Sequence, residues 1–409
     1  MADDHRQRLA SAAVGWLPPE PPVRRFLAVS FIDSLGTGMF LAGSALFFTR
    51  DLGLTAGQVG LGLSLSGVTG FACSVPIGRL SDKKNALPVL IALQLWRAAC
   101  FFAYPFINGL GLFITVACLA GAGEWAAAPV VQSLLGSFVP EASRVRAMSA
   151  MTLIRNIGFG LGAGAAAAFV AVSGAAYRGL VLADAASFLL SAVLLLRLRV
   201  RVAGAPGAPI RAEVPKPRVR PGARFVTLSA LNGVLYLHTI VLNVGLPLWI
   251  ASYTHGPGAL IGTIVVVNTV LAAAIQMRLS RGVDGVRPAA SRQFRAGWVL
   301  AACCLLVAVS GPSRVAVTVT VILAATAVLT VGEVYQSVGG WGVSYGFAPE
   351  ASRGYYLSVY SLGSTCAVIV GPWLITSAVL PAGGSGWIAL AVVFAVAGAL
   401  VPTVARGAG

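Results

Sequence analysis

Gly123-Glu124, followed by Pro140-Glu141-Ala142-Ser143-Arg144, decides the fold because it occurs twice. Gly332-Glu333 and Pro349-Glu350-Ala351-Ser352-Arg353 repeat it 209 residues later, and Gly162 recurs as Gly371 at the same offset. In both copies the glutamate precedes the proline by 16 residues. Near the start of each copy the offset is 199: Arg25-Phe26 matches Arg224-Phe225, and Asp33 falls opposite Asn232. Short matches that share one offset mark a duplicated unit. Because span four corresponds to span ten in the same orientation, the two halves run parallel.

Composition names the solvent. The 409 residues are 57% hydrophobic and 10% charged, with a mean hydropathy of +0.85. A soluble domain carries roughly 25% charged residues, so this much apolar surface belongs in a bilayer. Apolar runs long enough to span lie near 26–48, 57–78, 87–107, 110–137, 147–172 and 178–197, then near 225–252, 258–278, 295–312, 315–345, 354–379 and 385–404. The expected fold is an all-α membrane protein of twelve transmembrane helices. Its expected organisation is a cytoplasmic tail (1–25), a six-helix half (26–197), a Pro/Arg/Gly-rich linker (198–223), a second six-helix half (224–404) and a short tail (405–409). The first 25 residues hold Pro18, Pro19, Pro21 and Pro22 and no apolar core, so no cleavable signal peptide is expected.

The net charge of +16 is a topology signal rather than a nucleic-acid footprint, because Lys and Arg fall between the apolar runs. With the N-terminus inside, 24 of them are cytoplasmic and 3 (Arg50, Arg178, Arg314) are outside, while Arg97 and Arg155 lie within spans. Both termini are therefore expected in the cytoplasm. Three lysines against 26 arginines, amid abundant Ala, Gly and Val, suggest a GC-rich bacterial genome and hence a bacterial inner membrane. All six cysteines sit in apolar runs, and their spacing suggests neither a metal site nor a disulfide framework. No phosphate loop or nucleophile constellation appears, so neither an enzyme nor a cofactor is expected.

Gly78-Arg79-Leu80-Ser81-Asp82-Lys83, between spans two and three, resembles the signature loop of the major facilitator superfamily. That pattern runs Gly, x, Leu, small, Asp, Arg or Lys, then x-Gly-Arg. Asn85 and Ala86 stand here in place of the final Gly-Arg. With twelve spans, the duplication and the long central linker, the resemblance covers the whole chain. It implies an alternating-access transporter in which spans one, four, seven and ten line a central cavity. It also implies a cytoplasmic gate of Gly78, Arg79, Asp82 and Lys83, with Asp82 docking near Arg353 and Gly354. Two features depart from the antiporter-type pattern. Span five reads Gly158-Phe159-Gly160-Leu161-Gly162-Ala163-Gly164, with Ala163 where proline is expected, and span four lacks a basic residue.

A charge near the bilayer centre costs roughly 2.5–3.5 kcal/mol even on the lenient insertion scale, so intramembrane ionisable groups face a cavity or a partner. Each implied cavity helix carries one: Asp33, Glu124, His238 and Glu333. Sixteen residues of helix place Glu124 and Glu333 about 24 Å from their cytoplasmic prolines, at matching depth. A dry site favours the neutral form of a carboxylate, which can then take up and release a proton as the cavity changes side. The same acids could instead hold a cationic substrate, or serve only as hydrogen-bonded structural groups. Asp33 is expected to pair with Arg155 or Arg97, and Asp184, near the outer end of span six, is expected to reach water. Trp125, Tyr236 and Tyr335, with Trp249 and Trp341, are candidates for an apolar cavity wall.

These residues point to a proton-coupled exporter of a small amphipathic, hydrophobic or cationic compound, working as a monomer with protons and lipid as its other partners. Gln132, Asn156, Asn232, Asn243, Asn268 and Gln336 leave open an uptake symporter for a nutrient. A non-transporting membrane sensor is the third reading.

Overall fold

The computed structural model describes residues 21–173, 177–203, 220–254, 256–257, 259–283, 285–311 and 314–406. Most of the expected N-terminal tail and linker, the end of the C-terminal tail and Asp284 lie outside them.

In lipid the backbone must satisfy its own hydrogen bonds, and the helix does so within one segment. Twelve long helical segments, and no strand, are found among the described residues. They are α1 (Pro21–Leu46), α2 (Ala56–Lys84), α3 (Ala86–Ala103), α4 (Leu110–Phe138), α5 (Arg144–Ser173) and α6 (Tyr177–Ala203). Then follow α7 (Ala223–Tyr253), α8 (Ala259–Leu279), α9 (Val286–Ala308), α10 (Val315–Phe347), α11 (Arg353–Leu374) and α12 (Gly384–Ala405). Among the described residues nine segments are long and apolar enough to cross a membrane by composition alone. The other three are α1, α5 and α9, which carry Arg24 and Arg25; Arg144, Arg146 and Arg155; and Arg287, Arg292 and Arg295.

Local chemistry sets the breaks. Thr55 starts α2 with a capping box: its hydroxyl accepts from the Gln58 N–H (3.3 Å), and the Gln58 side chain accepts from the Thr55 N–H (2.9 Å). Asn85 alone separates α2 from α3 and does so at φ 67°, a left-handed value that Asn tolerates better than most residues. In α7, Pro247 cannot donate to the helix ladder, and a π-helical turn at Val241–Gly245 precedes it. Pro372 sits likewise near the end of α11, followed by the π turn Ile375–Val379.

The chain divides into two compact units: residues up to Val219 with Glu350–Ser358, and Arg220–Pro349 with Val359–Gly409. Within the first, α1 packs on α5 and α6, α2 on α4, and α3 on α4 and α6. Within the second, α7 packs on α12, α8 on α10, and α9 on α10 and α12. The duplication seen in sequence is thus also a repeated packing pattern.

The Gly-Glu pairs mark equivalent crossings. A Cβ on Gly123 would press on Trp96 and Arg97 of α3, and one on Gly332 would strike Leu300 of α9. Each glycine lets its helix lie close to the neighbour, which positions the glutamate beside it.

Candidate functional site

The polar centre of the first unit is built on α3. Gln94 and Arg97, three residues apart, share one helix face. Arg97 donates to Asp33 of α1 at 2.9 Å, to Gln94 at 2.7 Å and to Glu124 of α4 at 2.6 Å. Gln94 also donates to Asp33 at 2.9 Å. The guanidinium lies over the Phe188 ring of α6 at 3.8 Å. Arg97 is buried, with 3% of its side chain exposed, whereas Glu124 is 44% exposed. One cation therefore serves two carboxylates, one sheltered and one open.

Asp33 takes Arg97, and among the described residues no ion pair reaches Arg155. Arg155 instead lines a pocket of about 250 Å³ with Ser34, Thr37, Thr152, Asn156 and Phe159. Asp184 does not reach water. It is fully buried, because α6 closes on α1 at Gly36, where a Cβ would strike both Ser187 and Asp184.

The second unit keeps the scaffold and drops the ion pair. At the offset of 199, Asp33 becomes Asn232, Gln94 becomes Gln293 and Arg97 becomes Ala296. Gln293 donates to Asn232 at 2.7 Å and to the Tyr360 hydroxyl at 3.1 Å, and Gln336 donates to Asn232 at 2.8 Å. Glu333 accepts from the Asn268 amide at 2.7 Å, and Asn268 also donates to Thr330 at 3.0 Å. Among the described residues no arginine or lysine pairs with Glu333. Buried His238 sits in a turn of α7 that packs on α10, the helix of Glu333. Its Nδ1 is 2.9 Å from the Leu235 carbonyl, an acceptor only, so Nδ1 carries a proton.

The aromatic candidates have separate surroundings. Trp125 packs over Gly70 of α2, away from the Arg97 cluster. Tyr236 meets the His238 ring edge-on at 5.6 Å, and Tyr335 lies beneath Arg292 at 5.5 Å. Trp249 is buried, donating to Ser310 at 2.9 Å.

The signature loop is ordered by the start of α11, which belongs to the same unit. Asp82 accepts from the Gly354 N–H at 2.6 Å and the Tyr355 N–H at 2.8 Å, one per carboxylate oxygen. Those are orphan donors of a helix N-terminus, where a negative charge is favoured. Arg79 donates to the Tyr355 hydroxyl at 2.9 Å and stacks over its ring at 4.3 Å. Gly78 is required because a Cβ would collide with Ser358 and the Gly354 carbonyl. Lys83 is exposed at the end of α2.

A duplicated six-helix unit with charged side chains inside apolar helices is the architecture of a polytopic helical membrane protein. The chain belongs to the Major Facilitator Superfamily, whose family model matches residues 26–332. It is 31% identical over 142 residues to the multidrug resistance protein MdtH of Aeromonas hydrophila, a match covering 34% of this chain and 36% of that protein. Among solved structures it resembles a bacterial homologue of the iron transporter ferroportin in an outward-facing state (TM-score 0.73, 16% identity, 95% of this chain and 99% of that one). It also resembles the Major Facilitator Superfamily transporter FucP in the outward conformation (TM-score 0.69, 15% identity, 95% and 99%). The fold is that of a twelve-helix, multi-pass membrane transporter.

Proposed function

We propose that this chain is a proton-coupled exporter of a small amphipathic or hydrophobic compound, acting by alternating access in a bacterial plasma membrane with both termini in the cytoplasm. One observation carries the proposal: Asp33 and Glu124 share the single guanidinium of Arg97 inside an apolar helix bundle. With both acids ionised the array carries a net negative charge. A proton arriving on the open acid, Glu124, releases its share of Arg97 and lets the cation settle on Asp33. Loss of that proton restores the bridge. An array whose bridge is made or broken by one proton is a two-state element that a proton can bias.

Glu333, held by an amide rather than a guanidinium, is left for the substrate, with His238 and the Tyr236 ring that meets it on the neighbouring α7. Asp82, with Gly78, Arg79 and Lys83, acts as the cytoplasmic gate, its two backbone bonds holding one state and breaking in the other. Partial identity to a multidrug resistance protein supports export. The neutral cluster of Asn232, Gln293 and Gln336 is turned on itself, which disfavours a sugar-type uptake site. The test is expression in cells stripped of their main efflux pumps. Raised tolerance to ethidium or other amphipathic toxics supports export, and increased accumulation of them overturns it.

A further inference from the structure

Asp184 is a buried acid of the first unit for which neither the ion-pair array nor the gate has a use. It is fully buried on α6. Its Oδ1 accepts only a 3.3 Å contact from Ser187, and among the described residues nothing donates to Oδ2. The groups facing it are Asp33 from α1 and Arg97 from α3, both helices packed on α6 with Arg97 over the Phe188 ring one turn along from Asp184, and Glu124 from α4, which is bound to Arg97. The array in front of it already holds two carboxylates against one guanidinium. A third carboxylate, ionised, would raise the local excess to two negative charges, this one fully buried and with one oxygen wholly unsatisfied. Burying an unpaired charge is strongly unfavourable. Neutralising it with a metal ion would need converging ligands. Among the described residues no group of three His, Cys, Asp or Glu could hold one.

We infer that Asp184 is a proton-binding site: its Oδ2 carries a proton when Asp33 and Glu124 are both bound to Arg97. The placement lowers the cost of the unpartnered oxygen, since a neutral carboxyl loses less on burial than a carboxylate. Among the described residues Arg97 is the only cation in the cluster, so a proton lost from Asp184 must be matched by one gained on Asp33 or Glu124, or by charge leaving the site. This deepens the proton-coupled reading given above and identifies which acid holds the proton at rest.

The test uses infrared difference spectroscopy on the purified full chain in lipid at neutral pH, without substrate. The wild type should show the C=O stretch of a protonated carboxyl. Asp184→Glu should shift that band and Asp184→Asn should remove it, while Glu124→Gln should retain it. A wild type with no such band overturns the inference without recourse to any variant. A band that ignores both Asp184 substitutions, or that vanishes in Glu124→Gln alone, overturns it too and assigns the proton elsewhere. Because the spectrum is taken at rest, a band at Asp184 without substrate-driven proton flux would sink the coupling reading alone. Flux without the band would sink only this inference.

Discussion

Arg97 and Glu124 lie 2.6 Å apart while the same guanidinium holds Asp33 at 2.9 Å, so a single buried cation ties α1, α3 and α4 together. Removing one partner of a buried pair costs about 3–5 kcal/mol, because the other is left uncompensated. Arg97→Ala strands two acids and should lower the unfolding free energy by at least that much. Asp33→Asn should cost less, since Glu124 and Gln94 still hold Arg97. Chemical unfolding of the purified variants in detergent checks the order, and equal losses would mean that the two acids do not share the cation.

Asn85 occupies the place where the family pattern has glycine, at φ 67°. A non-glycine residue in such a sparsely populated backbone region costs of order 1–3 kcal/mol. Asn85→Gly should therefore raise stability, offset in part by the greater freedom of glycine in the unfolded chain. The net gain should be about 1 kcal/mol or somewhat less, read as a rise in the thermal midpoint of the purified protein. No change, or a fall, would show that the Asn85 side chain stabilises the turn in a way its backbone angle does not reveal.

Legibility followed the physics of the bilayer. Spans announce themselves because lipid demands long apolar runs, and the duplication was visible because Gly-Glu and Pro-Glu-Ala-Ser-Arg survive in both halves. The rotation of each helix was not visible. A helix apolar all round carries no amphipathic stripe to say which side faces in. That is why Asp33 could be assigned to either Arg97 or Arg155, and why Asp184, near a helix end, read as wet when it is buried. One signal was present and unused: Gln94 recurs as Gln293 at the same 199-residue offset as Asp33 and Asn232. Reading that pair beside Arg97 and Ala296 would have identified a charged site in one half and its neutral counterpart in the other.

Glu333 has the Asn268 amide as its partner at 2.7 Å and, among the described residues, no guanidinium. If it faces substrate, Glu333→Gln should weaken export of the cation ethidium about tenfold, the loss expected for one charge-assisted contact of roughly 1.4 kcal/mol. Export of neutral amphipathic compounds should be little changed, and proton flux driven by them should persist. Equal losses for cationic and neutral compounds would argue that Glu333 is structural.

The most direct test follows internal pH in inside-out vesicles when a transported compound is added, comparing wild type with Glu124→Gln and Asp33→Asn. Wild type should dissipate an imposed acid-inside gradient on addition of substrate, and both variants should lose that proton flux by at least tenfold. Substrate movement in the wild type with no proton flux, or variants whose flux matches the wild type, would contradict coupling through the Arg97 array.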